Sequence, residues 1–200
     1  MKERRARDKN KTLEDILTTA RSLFSQKGLH GTSIRDIENE SGVSKGLILH
    51  HFGTKEKLYE AVQEQLTEEY IGMLADQRPS SGDFRELVAT TIRNSFRHIQ
   101  RNREYRRISL WSYLEDQENN SDLEQRFTLA LISTMRLGQE SGRVRDDIDP
   151  FLMPFIIRGT IEYWIRKEKL IKTMTAGDEF PGADAEERLI DALTVLFVER

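Results

Sequence analysis

Hydrophobic residues recur every three or four positions along most of the chain, which is the period of an α-helix. The first predicted helix ends near Gly28, and its apolar stripe consists of Leu13, Ile16, Leu17, Ala20, Leu23 and Phe24. Similar stripes continue to a final apolar run from Ala185 to about Val198, and no segment shows the strict alternation of a strand. The pattern therefore predicts an all-α protein of about nine helices.

Two short helices with clear capping signals are predicted to follow the first helix. Ser33 is a good N-cap for the second helix, and Asp36 is a capping-box partner three residues later. Gly42 can adopt the left-handed conformation that closes this helix, and Ser44 is the N-cap of a third helix that runs to about His51. Two short helices joined by a three-residue turn predict a helix-turn-helix.

In a helix-turn-helix the first helix braces the second, whose exposed face enters the major groove of DNA. We expect Leu47 to pack inward against Ile34, Ile37 and Val43, which leaves the neighbouring positions for the outer face. Gly46 costs about 1 kcal/mol of helix propensity relative to alanine, which favours a close backbone approach to another molecule.

Charge is distributed unevenly between the two ends of the chain. Residues 1–60 contain twelve basic and nine acidic residues and carry +3, so the remainder carries −6, since the whole chain carries −3. A basic N-terminal third suits contact with a polyanion, although chance asymmetry explains a difference of this size equally well. The basic residues within positions 2–11 form either an arm for the minor groove or a solvated tail, and both interpretations stay open.

Composition excludes several classes of protein. The chain has no cysteine, which rules out disulfides and cysteine nucleophiles, and no apolar run approaches the roughly 20 residues of a membrane span. Because the start of the chain is charged and lacks the apolar core of a signal peptide, we expect a cytoplasmic protein without membrane contact. No phosphate loop or nucleophile signature appears, so we expect neither an enzyme nor a cofactor. His50 and His51 are adjacent and lack a third ligand nearby, so we expect no metal.

Three consecutive motifs carry a resemblance to a known family. They are Gly31-Thr32-Ser33-Ile34-Arg35-Asp36-Ile37, Ser41-Gly42-Val43-Ser44-Lys45-Gly46 and His51-Phe52-Gly53-Thr54-Lys55-Glu56-Lys57-Leu58. Together with the helix before them, they resemble the DNA-binding domain of the TetR family of bacterial regulators. Where that family often has Thr-Leu-Tyr-Tyr-His-Phe, this chain has Leu47-Ile48-Leu49-His50-His51-Phe52, without the tyrosines.

The resemblance implies a homodimeric, all-helical repressor that binds a palindromic operator in double-stranded DNA and is released by a small organic molecule. It places a helix-turn-helix at about 33–52 within a DNA-binding domain at 1–54, followed by a regulatory and dimerisation domain at 55–200. The candidate DNA contacts lie at helix starts and along the third helix: Thr32, Ser33, Ser44, Lys45, Gly46, Leu49, His50, His51 and Lys55.

The last two predicted helices carry more apolar residues than one small body can bury. The eighth is expected to begin at Asp149-Pro150, with Asp149 as N-cap, and the ninth covers Ala185 to about Val198. A helix that is apolar on nearly every side must be covered on more than one side. We therefore expect both helices to pair with their two-fold mates in a four-helix interface.

Aromatic and sulfur-containing residues recur in the predicted helices between these ends. They line a cavity for an organic effector or form an ordinary packed core, and the family resemblance favours a cavity. The candidate lining residues are Phe96, Trp111, Tyr113, Phe127, Met135, Phe155, Tyr163 and Trp164. A ligand-independent architectural or occlusion protein that uses the same DNA-binding domain, and a protein-binding module without DNA binding, are the alternatives.

Overall fold

The computed structural model describes residues 2–77, 79, 82–117, 121–176 and 185–198, with side chains described from Asn10 onward. These residues form ten helices and no strand beyond one isolated antiparallel bridge between Val144 and Val198, which confirms the all-α prediction. The helices are α1 (Lys2–Lys27), α2 (Ile34–Ser41), α3 (Lys45–Phe52), α4 (Lys55–Asp76), α5 (Phe84–Arg101), α6 (Arg103–Leu114), α7 (Asp122–Glu140), α8 (Met153–Arg166), α9 (Glu168–Met174) and α10 (Ala185–Phe197).

The chain divides into two compact units, named here the head unit and the body unit. The head unit comprises Met1–Glu68 and Asn102–Ser121, and the body unit comprises Glu69–Arg101 and Asp122–Arg200. The unit that holds the helix-turn-helix therefore includes α6 and much of α4, both of which follow residue 54 in the sequence.

The core of the head unit is formed by apolar faces of its helices packed together. Its buried residues are Ile16, Ala20, Leu23, Phe24, Leu29, Ile37, Ile48, Leu58, Tyr59, Val62, Leu66 and Ile108. The expectation that Leu47 anchors the third helix is wrong, since Leu47 is 39% exposed and its neighbour Ile48 is fully buried. The two residues are adjacent and apolar, so only the orientation of α3 in the fold decides which of them faces inward.

The start of α8 differs from the sequence prediction. The helix begins at Met153 rather than at Asp149-Pro150, and Pro154 occupies its first turn, where the missing N–H costs no helical bond. The Asp149 carboxylate instead accepts the Phe151 N–H at 2.9 Å and holds a turn before the helix.

The sequence predicts that the eighth helix continues to a polar loop that begins at Thr173, and the structure divides this helix in two. Lys167, at φ −98° and ψ 8°, separates α8 from α9, and its N–H donates to the carbonyls of Tyr163 and Trp164. This break gives ten helices in the described residues rather than about nine.

Within the body unit, α10 packs on α5, and α8 packs against both α5 and α7. Arg93 of α5 donates to Glu187 of α10 at 2.9 Å, which links the same pair of helices at their exposed edge. None of the helices in the described ranges is both long enough and apolar enough to cross a membrane.

Candidate nucleic-acid interface

The second helix starts with the capping box that the sequence predicts. The Ser33 hydroxyl accepts the Asp36 N–H at 3.1 Å, and the Asp36 carboxylate accepts the Ser33 N–H at 2.9 Å. The Ser33 hydroxyl also donates to this carboxylate and, as the main cause, lowers the pKa of Asp36 below its usual range. Gly42, at φ 71°, closes α2 in the left-handed conformation, as predicted.

The first turn of α3 is held by two side-chain acceptors. Ser44 is the N-cap and accepts the Leu47 N–H at 3.4 Å, while Glu38 of α2 accepts the Lys45 N–H at 2.8 Å. These bonds fix α3 on α2 and leave the side chains of Ser44 and Lys45 exposed. Lys45 therefore presents its ammonium group outward at the start of the helix.

The outer face of α3 is defined by the inward position of Ile48. Because each helical residue turns the chain by about 100°, Gly46 and His50 lie opposite Ile48, with Leu47 and Leu49 on either side. A Cβ atom added to Gly46 would meet no atom within 4 Å. Nothing inside the molecule therefore requires glycine at this position.

Two of the sequence-predicted contact residues stabilise the turn between α1 and α2. The Thr32 side chain is buried, and its hydroxyl donates to the Gly28 carbonyl at 2.8 Å, so this side chain is not exposed for a contact with DNA. The Lys55 ammonium donates to the carbonyls of Leu29 at 2.7 Å and Thr32 at 2.9 Å. Lys55 joins the start of α4 to this turn and has one further N–H for another acceptor.

Glu115, at the end of α6, holds the same turn from the other side. Its carboxylate accepts the N–H groups of Leu29 at 2.8 Å and of His30 at 3.1 Å. Gly28 makes room for it, because Gly28 adopts φ +72° and a Cβ atom there would lie 2.5 Å from Glu115 Oε1. Sequence analysis missed Glu115, since its partners lie 85 and 86 positions away and no local pattern marks it.

Replacing Glu115 with alanine should destabilise the head unit by about 2 kcal/mol, because two main-chain donors lose a charged acceptor. Urea unfolding followed by circular dichroism measures this change. Glu115→Gln retains one acceptor oxygen and should lose about half as much. Asp116→Asn, at the exposed neighbouring position, is the control, and equal stability of Glu115→Ala and Asp116→Asn would contradict the assigned role.

Arg35 is exposed on α2 and was not singled out from the sequence. Since Ile37 is buried and Ile34 partly buried against the head core, the side chain at position 35 must point away from it. The positions of Ile34 and Ile37 on the helix therefore indicate, from the sequence alone, that Arg35 is exposed. His51, in contrast, is half-buried, with its ring 6.4 Å from the ring of Phe52.

The residues predicted to line an effector cavity are distributed over both units. Trp111 and Tyr113 lie on α6 in the head unit, and the others lie in the body unit. Phe96 and Met135 are buried, Phe127 and Trp164 are half-buried, and Tyr113, Phe155 and Tyr163 are exposed. The three exposed aromatic residues are on the surface of the chain rather than in the wall of an enclosed cavity. Within the described ranges, no group of three or more His, Asp or Glu side chains could hold a metal ion.

Comparison with known proteins agrees with the helix-turn-helix. Residues 16–62 match the model of the bacterial regulatory proteins of the tetR family. The chain is 25% identical over 156 residues to the HTH-type transcriptional repressor KstR2 of Rhodococcus jostii, an alignment that spans 73% of this chain and 74% of that protein. It is 42% identical over 65 residues to the HTH-type transcriptional repressor Rv3405c of Mycobacterium tuberculosis, which spans 32% of this chain and 35% of that protein.

A solved structure shows that the likeness in fold extends beyond the head. A TetR family transcription regulator from Marinobacter aquaeolei superposes with a TM-score of 0.75 at 18% identity, covering 98% of this chain and 100% of that one. The family model covers the helix-turn-helix, and the superposition covers nearly all of the chain. Residues 16–62 are therefore similar to the bacterial regulatory proteins of the tetR family, and over 156 residues the chain is similar to a transcriptional repressor.

Proposed function

We propose that this chain is a transcriptional repressor that binds a palindromic DNA operator as a homodimer and is released by a small organic effector. The observation that carries the DNA-binding part is the outer face of α3, where Gly46 has open space and Lys45 and His50 are exposed. A helix that packs on the rest of the domain through one face and exposes the opposite face has the geometry needed to enter a major groove.

The contact surface proposed for DNA consists of the exposed groups around α3. Lys45 supplies a cation for phosphate, and Ser33 and Ser44 lie at helix starts, where the helix dipole favours an anion. Lys55 holds the turn beside them and can direct its remaining donor to the backbone of the duplex. Leu49, His50 and His51 complete the proposed surface.

The homodimer is proposed from exposed apolar residues at the end of the body unit. Phe155 and Tyr163 are exposed on α8 with Gly159 between them, and Val195 and Leu196 are exposed on α10. A Cβ atom at Gly159 would meet nothing within 4 Å, so a second helix could approach closely there. Apolar residues in this arrangement are typical of an interface between subunits.

A cluster of polar and aromatic groups in the body unit is the proposed effector site. The Tyr70 hydroxyl lies 2.8 Å from the Ser95 hydroxyl, and the Tyr70 ring lies 5.9 Å from the ring of Phe127. The Arg158 guanidinium stands over the same tyrosine ring at 5.7 Å from its centre. A few polar groups among aromatic side chains are typical of sites for small organic ligands.

Effector release of DNA is proposed to follow from linkage. An effector that prefers a body conformation with differently spaced heads weakens DNA binding, and DNA weakens effector binding by the same coupling free energy. We propose α4 as the lever, because this one helix runs through Glu68 and Glu69, where the head unit ends and the body unit begins.

Selection from random double-stranded DNA tests the proposed function. The purified protein should enrich a palindrome whose half-sites are one helical turn, or a multiple of it, apart. Lys45→Ala should weaken binding to that operator by about tenfold and lower the salt slope of log affinity by about one. Lys172→Ala, at an exposed lysine of α9, is the matched control and should leave both quantities unchanged.

Failure to enrich any palindrome would contradict the proposal and favour a protein-binding role for the head. A selected operator whose affinity is the same for Lys45→Ala as for the unmodified chain would show that α3 does not meet the duplex as proposed.

A further inference from the structure

The outer face of α3 carries few hydrogen-bonding side chains. Opposite the buried Ile48 lie Gly46 and His50, and Leu47 and Leu49 lie between these two positions and the buried side. Of these four residues, His50 alone has a side chain that can hydrogen-bond. Lys45, at the exposed start of the helix, is assigned to phosphate, so His50 is the one side chain of these four that can read base edges through polar contacts.

Leu47 is the unusual member of this face. It is 39% exposed, although the position beside it, Ile48, is fully buried in the head core. Leu47 is in the first turn of α3, beside the open position of Gly46, and its side chain is not part of the head core. Such an exposed apolar side chain is suited to contact with an apolar group on another molecule. In the major groove that group is the C5 methyl of thymine, since the other bases present mainly polar edges there.

We propose that α3 recognises its operator mainly through thymine methyl groups, with Leu47 as the principal specificity-determining residue. This inference rests on the proposed DNA-binding function and adds the chemical class of the base contact. Gly46 lets the helix backbone approach the floor of the groove, which brings the Leu47 side chain to the depth of the base edges. Leu49, half-buried on the opposite flank of the outer face, is a second apolar side chain at the edge of the same groove.

The proposal predicts half-sites that contain thymine at the positions under the start of α3. Deoxyuridine has the same hydrogen-bonding groups as thymidine and lacks only the C5 methyl group. Replacing one thymine at a time with uracil in the selected operator should therefore weaken binding of the unmodified protein by about fourfold per contacted methyl.

A double-mutant cycle assigns the contact to Leu47. In Leu47→Ala the penalty for thymine-to-uracil replacement should fall below about twofold at the contacted position, because the partner of the methyl group has been removed. Leu110→Ala is the matched control, since Leu110 is 48% exposed on α6 of the same unit and outside the proposed surface. This control should retain the full fourfold penalty. Circular dichroism of each variant checks that the helices are intact.

The outcomes separate this inference from the function on which it rests. If the unmodified protein enriches a palindrome but no thymine-to-uracil replacement weakens binding, DNA binding stands and methyl recognition is overturned. If the penalty is present and persists in Leu47→Ala, the assignment to Leu47 is overturned. If no DNA is enriched, the proposed function and the inference are both rejected.

Discussion

Replacing Phe155 with glutamate is expected to convert the proposed dimer into monomers at micromolar concentration. Phe155 is 52% exposed in the single chain, and its ring is tilted against that of Phe151, with 5.3 Å between ring centres. If a second copy covers this surface, each subunit of the variant would bury an unpaired carboxylate, and the dissociation constant should rise by about 100-fold or more. Analytical ultracentrifugation over a concentration series measures the change.

Loss of the dimer should remove operator binding as well. Two heads held together bind the two half-sites of a palindrome with a high effective concentration, which a monomer lacks. Leu129→Glu is the matched control, because Leu129 is 60% exposed on α7 and outside the proposed interface. A Phe155→Glu protein that sediments as the unmodified chain does would refute the interface on α8.

Replacing Gly46 with alanine is expected to stabilise the protein and to weaken DNA binding. The position has no contact that a Cβ atom would disturb, and alanine is the better helix former, so unfolding should require about 0.5–1 kcal/mol more. On DNA the added methyl group would lie where the backbone must approach the duplex, and affinity should fall by about tenfold or more. Opposite changes in stability and affinity separate a functional glycine from a structural one.

Gly72→Ala supplies the control for this measurement. Gly72 is exposed within α4, and a Cβ atom there also meets nothing within 4 Å. The substitution should give a similar gain in stability with no change in affinity for the operator. If Gly46→Ala binds DNA as tightly as Gly72→Ala, the close backbone approach at α3 is disproved.

The sequence was most informative where structure depends on neighbouring residues. The caps at Ser33, Gly42 and Ser44 were all predicted, because each forms bonds within a few positions along the chain. The apolar stripe of the first helix likewise identified the buried face of α1, where Ile16, Ala20 and Phe24 are fully buried. The candidate contacts at Ser44 and Lys45 lie at the exposed start of α3, as their motif suggests.

Prediction failed where tertiary packing decides between similar residues. Leu47 and Ile48 are equally apolar, and the docking of α3 on the head core determines that Ile48 is buried. Thr32 matched a contact motif, but the bond of its hydroxyl to the Gly28 carbonyl and the burial of its side chain are visible only in the folded chain. Two prolines near the start of α8 each suit a first turn, and only the structure selects Pro154.

Both backbone polar groups of Leu29 are hydrogen-bonded. Its N–H donates to the Glu115 carboxylate, and its carbonyl accepts from the Lys55 ammonium. A hybrid regulator made by grafting only residues 1–54 onto a foreign effector domain would lack both Lys55 and Glu115. Transplants that carry residues 102–117 and the start of α4 along with the recognition helices preserve the two bonds. The segments that a transplant needs in order to keep these bonds are therefore discontinuous in sequence.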